Sequence, residues 1–147
     1  MSWAGKKSFR KFFRSLFRKE QAPSAPVSEQ KVVPMLTAEF KELEDKLEVW
    51  VKEKGYRLPD PTIKQSAARI GTSSLKLHQY FSAQGTDFRA WRTALRIQDA
   101  MEMMKQEPET SVSAIGIRVG IPDRSNFCRQ FKAIVGTTPE IWRKNSK

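Results

Sequence analysis

Apolar side chains recur at three- and four-residue spacing along most of the chain, and no run alternates convincingly at every second residue. This pattern predicts helices throughout, so the expected fold class is all-α. In Ser8 to Glu20, Phe9, Phe12, Phe13, Leu16 and Phe17 share one helical face among Arg10, Lys11, Arg14, Arg18 and Lys19. That is a short basic amphipathic helix. QAPSAPVSEQKVVP follows, with Pro23, Pro26 and Pro34 and no periodic apolar face, and reads as a partly extended linker. Thr37 is placed to cap a helix running to about Lys54, with Glu39 in its first turn. Its stripe is Phe40, Leu43, Leu47 and Trp50 or Val51, and Gly55 is the expected stop before RLPDP breaks the chain.

From Thr62 the pattern stays helical. Thr62 caps a helix ending near Ile70, Gly71 breaks it, and Ser73 caps the next, to about Ser82. After Gly85, Thr86 opens a longer helix to about Gln106 through Phe88, Trp91, Leu95, Ile97, Met101 and Met104. Ser111 or Ser113 starts a short helix ending at Val119, and Gly120 interrupts. Pro122 to Arg124 opens another helix, to about Val135, and Gly136 ends it. Thr138-Pro139 starts a last short helix, with proline in its tolerated first-turn position.

The chain repeats itself. Gly85-Thr86 with Trp91-Arg92 recurs as Gly136-Thr137 with Trp142-Arg143, offset by 51 at all four positions. Leu77 precedes Phe81 by four residues, as Phe127 precedes Phe131. Ala67 and Gly116 each stand four residues before a turn glycine, Gly71 and Gly120. Each copy reads as a short helix, a glycine turn and a capped second helix, the helix-turn-helix layout. A small residue lets the second helix cross the first closely, and the turn needs positive φ. The apolar pairs bury one face of the second helix. The other face carries Ser74, Lys76, His78 and Gln79 in the first copy, and Arg124, Ser125, Asn126 and Arg129 in the second.

Charge sharpens this picture. The 147 residues carry 27 Lys+Arg against 16 Asp+Glu, net +11. Residues 1–34 hold net +6, residues 35–53 net −3 and residues 54–147 net +8. A short basic segment and a basic C-terminal two-thirds are thus separated by an acidic stretch, which suggests two different tasks and a polyanion as ligand. One cysteine, Cys128, excludes an internal disulfide framework and a Cys-based zinc cluster. One histidine, His78, excludes a His-rich metal site. No carboxylate or nucleophile matches His78 in spacing, so it reads as a polar surface residue rather than a catalyst. No apolar run reaches the roughly 18 residues of a membrane span, and the N-terminus has no secretory h-region. No cofactor and no enzymatic activity are expected.

The segment IGIRVGIPDRSNFCRQFKAIVGTTPEIWRK resembles the signature of the AraC/XylS family of bacterial transcription regulators. The likeness rests on Ile115, Val119-Gly120, Ser125, Phe127, Phe131-Lys132, Gly136, Thr138-Pro139 and Arg143. The first half matches through Ala67, Gly71, Ser73, Leu77, Phe81, Gly85, Phe88, Arg96 and Ala100, so the resemblance covers roughly residues 59 to 144. Gly116 departs from the family's usual alanine, at a helix-propensity cost of about 1 kcal/mol. Ile121 replaces phenylalanine, and Pro122 and Asp123 replace ordinary polar residues. These changes bear on stability rather than function.

The resemblance implies a sequence-specific DNA-binding regulator with two helix-turn-helix subdomains joined by a long helix, about Thr86 to Gln106. Their recognition helices would enter successive major-groove segments of double-stranded DNA. The first would present Ser74, Leu75, Lys76, His78 and Gln79; the second, Arg124, Ser125, Asn126, Cys128 and Arg129. Arginine pairs with guanine O6 and N7, and Asn126 or Gln79 with adenine. Ser73, Lys132 and the helix N-termini are candidates for phosphate contact. Cys128 beside Arg129 admits a lowered thiol pKa and redox sensing; packing or a thymine-methyl contact is the preferred reading. Trp91 and Trp142 read as core residues of the two subdomains.

The expected organisation is a basic segment and linker over residues 1–34, an acidic helix over 35–56, and the double helix-turn-helix over 57–147. The acidic helix reads equally as a packing helix or as a dimer or coupling helix. The basic segment has three readings of equal weight: a contact to an anionic membrane surface through residues 1–20, an arm on DNA phosphates, or a solubilising tail. A membrane-peripheral or sensor-coupled interaction module is therefore the alternative function. The length leaves no room for a ligand-binding sensor domain, so no effector is implied. The expected location is the bacterial cytoplasm, with the inner-membrane surface as the alternative, and RNA polymerase is a further partner the resemblance admits.

Overall fold

The computed structural model describes residues 34–59 and 62–146, and every regular element among them is helical. The all-α expectation is met there. The basic helix expected at Ser8–Glu20 and most of the linker lie outside the described residues.

Among the described residues seven α-helices follow one another: α1 (Pro34–Lys52), α2 (Ile63–Ile70), α3 (Ser74–Ala83), α4 (Phe88–Gln106), α5 (Val112–Arg118), α6 (Arg124–Val135) and α7 (Pro139–Asn145), with a 3-10 turn at Gly55–Arg57. The chain divides into two compact units. Among the described residues, the first holds 34–53 with 62–88, and the second holds Lys54–Pro59 with 89–146.

In the first unit, Thr62 caps α2 through a capping box: its hydroxyl accepts the Gln65 N–H at 3.2 Å, and the Gln65 side chain reaches back to the Thr62 N–H. Gly71 ends α2 at φ +95°, where its N–H reaches the Ala67 carbonyl. Ser73 then caps α3 by accepting the Lys76 N–H at 3.1 Å. Ala67, Leu77, Tyr80 and Phe81 are buried, and Phe88 closes the core with its ring centroid 5.7 Å from Phe81 and 5.5 Å from Trp50. The acidic helix packs within this unit: Leu43, Leu47, Trp50 and Val51 are buried. Tyr80 donates to Glu44 at 2.8 Å, while Phe40 meets the Tyr80 ring edge-on.

The boundaries of α1 differ from expectation. It already includes Pro34, a residue tolerated in a first turn, so Thr37 lies inside the helix rather than before it. At the other end the left-handed residue is Lys54, at φ 58°, and Gly55 opens the 3-10 turn instead.

The second unit has a core of Ile97, Ala100, Met103, Met104, Val112, Ile115, Val119, Ile121, Phe127 and Phe131. Phe127 and Phe131 are fully buried, and burying each is worth about 1.5–3 kcal/mol. Trp91 is also fully buried, whereas Trp142 is half-buried at the edge of the Phe131 ring. Ser111 caps α5, Asp123 caps α6 by accepting the Asn126 N–H at 2.7 Å, and Thr138 caps α7 ahead of the buried Pro139. Gly116 has a packing reason beyond helix propensity. A Cβ there would stand 3.0 Å from the Ile121 carbonyl oxygen and 3.1 Å from the Phe127 ring, so its absence lets α6 cross α5 more tightly.

The segment Lys54–Pro59 is held to this core by α4. The buried Arg96 donates from Nε to the Tyr56 carbonyl at 2.5 Å and from Nη2 to the Leu58 carbonyl at 2.8 Å. One helical turn on, the buried Asp99 accepts from Arg57 Nε at 2.6 Å, and Lys54 Nζ lies 3.8 Å away.

Candidate nucleic-acid interface

Both helices expected to read DNA are second helices behind a turn glycine, and each is pinned by its buried face. On α3, Leu77, Tyr80 and Phe81 face inward, so Leu75, Lys76, His78 and Gln79 are exposed and Ser74 is half-buried. Leu75 is 63% exposed, directly beside Lys76. The exposed Ser73 stands at the head of the helix. Its oxygen is occupied by the Lys76 N–H, which leaves its hydroxyl proton to donate.

On α6, Phe127 and Phe131 face inward, leaving Arg124, Ser125, Arg129 and Lys132 exposed and Asn126, Cys128 and Gln130 half-buried. The polar residues are interlinked. Arg129 Nη2 donates to Asn126 Oδ1 at 2.7 Å, and Gln130 Nε2 approaches the same oxygen at 3.4 Å. Arg124 Nη2 donates to Glu140 Oε2 at 2.5 Å, in an ion pair with α7. At 3.6 residues per turn, Arg124 and Arg129 sit roughly 140° apart around the helix, so they leave it in different directions.

The thiol of Cys128 is pushed above its ordinary range, first by burial and then by the Glu140 carboxylate, with Arg124 opposing. Arg124 thus does not outweigh burial and Glu140 at this thiol, and Cys128 packs against the core of the second unit. The sign follows: a raised pKa keeps the thiol protonated at neutral pH. Alkylation by iodoacetamide at pH 7 is therefore expected to be slower than that of a free small thiol, with the rate still climbing above pH 9. A rate that levels off below pH 8 would contradict this.

Two further residues contribute beyond the expected site residues. Asp123, a departure from the family pattern, is the cap of α6, a role that an Asp just before a helix start signals by its type. Glu140 gave no such signal, because its partner lies 16 residues away and only the packing of α7 on α6 joins them.

A family model described as a helix-turn-helix domain matches residues 66–145, which takes in α3 to α7. The transcriptional activator NphR of a Rhodococcus species is 33% identical over 85 residues, 58% of this chain and 25% of that protein. The chain thus spans about a quarter of that relative's length. No solved structure matches. Two capped helices behind glycine turns, with polar and basic outer faces, define a helix-turn-helix DNA-binding domain. The chain belongs to the AraC/XylS family of transcription regulators.

Proposed function

We propose that this protein is a sequence-specific transcription regulator that reads double-stranded DNA with the first turns of α3 and α6. The observation that carries the reading is the duplicated second helix. In each copy apolar residues bury one face, and the opposite face offers donors and acceptors of the kinds that address base edges. On α3, Gln79 suits an adenine edge and the exposed Leu75 suits a thymine methyl, with Ser73 and Lys76 placed for phosphate. On α6, Arg129 and Asn126 suit base edges, with Ser125 and Lys132 at the flank. In the domain organisation we propose, residues 57–147 carry this activity. The basic, aromatic-rich segment at residues 1–20 supplies a second contact to a polyanionic surface, supported by its charge and spacing alone.

Arg129→Ala tests the reading. A bidentate arginine–guanine pair is worth about 1–3 kcal/mol of discrimination, so base preference should relax by that amount at one position of the preferred site. The fold should survive, since Arg129 is exposed. Lys132→Ala, if it meets only phosphate, should weaken all duplexes alike and reduce the salt slope by about one unit. Competition binding against single-base variants of a selected site checks both. A uniform loss in Arg129→Ala would remove its base-reading role.

A further inference from the structure

The two arginines of α6 are held by chemically different partners. Arg129 is paired with the neutral amide oxygen of Asn126 and keeps its full charge. Arg124 is paired with the carboxylate of Glu140. That carboxylate stands on a fixed support: Glu140 follows Pro139, which is fully buried, and the Thr138 cap secures the turn. The pair remains accessible, with the Arg124 side chain 59% and the Glu140 side chain 48% exposed. A guanidinium has five N–H donors, and the bond to Glu140 uses one. The remaining donors keep the fork that matches guanine O6 and N7. What the pair loses is net charge, and net charge is what draws arginine to any phosphate whatever the sequence.

Resting on the DNA-reading function above, we propose that Glu140 is a specificity-determining positioning residue. It orients the Arg124 fork toward a guanine edge and cancels the charge that would otherwise drive Arg124 onto phosphate. Glu140 touches no base in this scheme and acts through Arg124. Two consequences follow. Orientation lowers the ordering cost that a long side chain meets on binding a base. Charge cancellation weakens binding to random sequence more than to the preferred site.

The test uses the full chain and random-sequence duplex DNA, from which the wild-type protein first selects a preferred site. Glu140→Gln keeps the size and one acceptor but removes the charge. We expect it to bind random duplex more tightly, with a salt slope steeper by up to one unit. Discrimination at a single guanine position should fall about tenfold. In an Arg124→Lys background, which keeps the charge but loses the fork, Glu140→Gln should no longer alter base preference. If wild type selects a site and Glu140→Gln changes specific and random binding by the same factor, the role assigned to Glu140 is wrong. That role also fails if Glu140→Gln alters base preference equally in both backgrounds, since Glu140 would then contact DNA itself. Failure of wild type to select any site would instead overturn the DNA-reading function. A melting temperature equal to wild type separates these effects from a purely structural one.

Discussion

Arg96→Ala is expected to lower the melting temperature of the second unit by about 10–20 °C. The guanidinium is buried and donates to the backbone carbonyls of Tyr56 and Leu58. Hydrogen bonds from a charged group contribute about 1.5–3 kcal/mol each, and truncation would leave both carbonyls short of a donor. The guanidinium also packs where Gly120 passes: a Cβ on Gly120 would stand 2.9 Å from Arg96 Nε and 2.7 Å from the Arg57 carbonyl oxygen. A loss of roughly 3–5 kcal/mol follows from removing one side of such a buried network. Arg96→Lys keeps the charge and stem but lacks the planar fork, so it should recover only part of the loss. Differential scanning calorimetry of the three proteins checks this. A shift under about 2 °C in Arg96→Ala would mean that Lys54–Pro59 is not held to α4 as described.

The same segment shows where reading a sequence runs out. Caps are local, so Thr62, Ser73 and Thr138 are legible from residue type and position alone, whereas Ser111 and Ser113 stand equal until the structure makes Ser111 the cap. The offset of 51 exposed the duplication, and the glycines at positive φ followed from it. Arg96 enters the sequence reading only as a position of the family likeness, because a buried arginine bound to carbonyls some forty residues away leaves no local trace. Tyr56 and Asp99 belong to the same case. Burial drives the Tyr56 hydroxyl far above the ordinary phenol range, with Asp99 adding to it, and neither fact has a sequence signature. Lys54 in a left-handed conformation beside Gly55 defeated the glycine rule outright. The ion pair nearby places Lys54 Nζ against the buried Asp99, which offsets part of a strain of roughly 1–2 kcal/mol.

Raising salt from about 50 to 200 mM is expected to weaken DNA binding by roughly a thousandfold or more. The premise is the net +8 of residues 54–147 and its distribution over the candidate interface. Lys76, Arg129 and Lys132 are exposed on the outer faces of α3 and α6. Each cation that neutralises a phosphate releases condensed counterions, giving a slope of about −0.9 per contact in log K against log salt. About six contacts drawn from the basic surface of residues 54–147 as a whole give a slope near −5. Arg124 should add little to it, because Glu140 already answers its charge. Fluorescence anisotropy on one labelled duplex at four salt concentrations measures the slope. Repeating the series with Lys76→Ala and Lys132→Ala should remove about one unit for each residue that meets phosphate. A wild-type slope shallower than about −2 would mean that phosphate neutralisation is not what brings this basic surface to DNA.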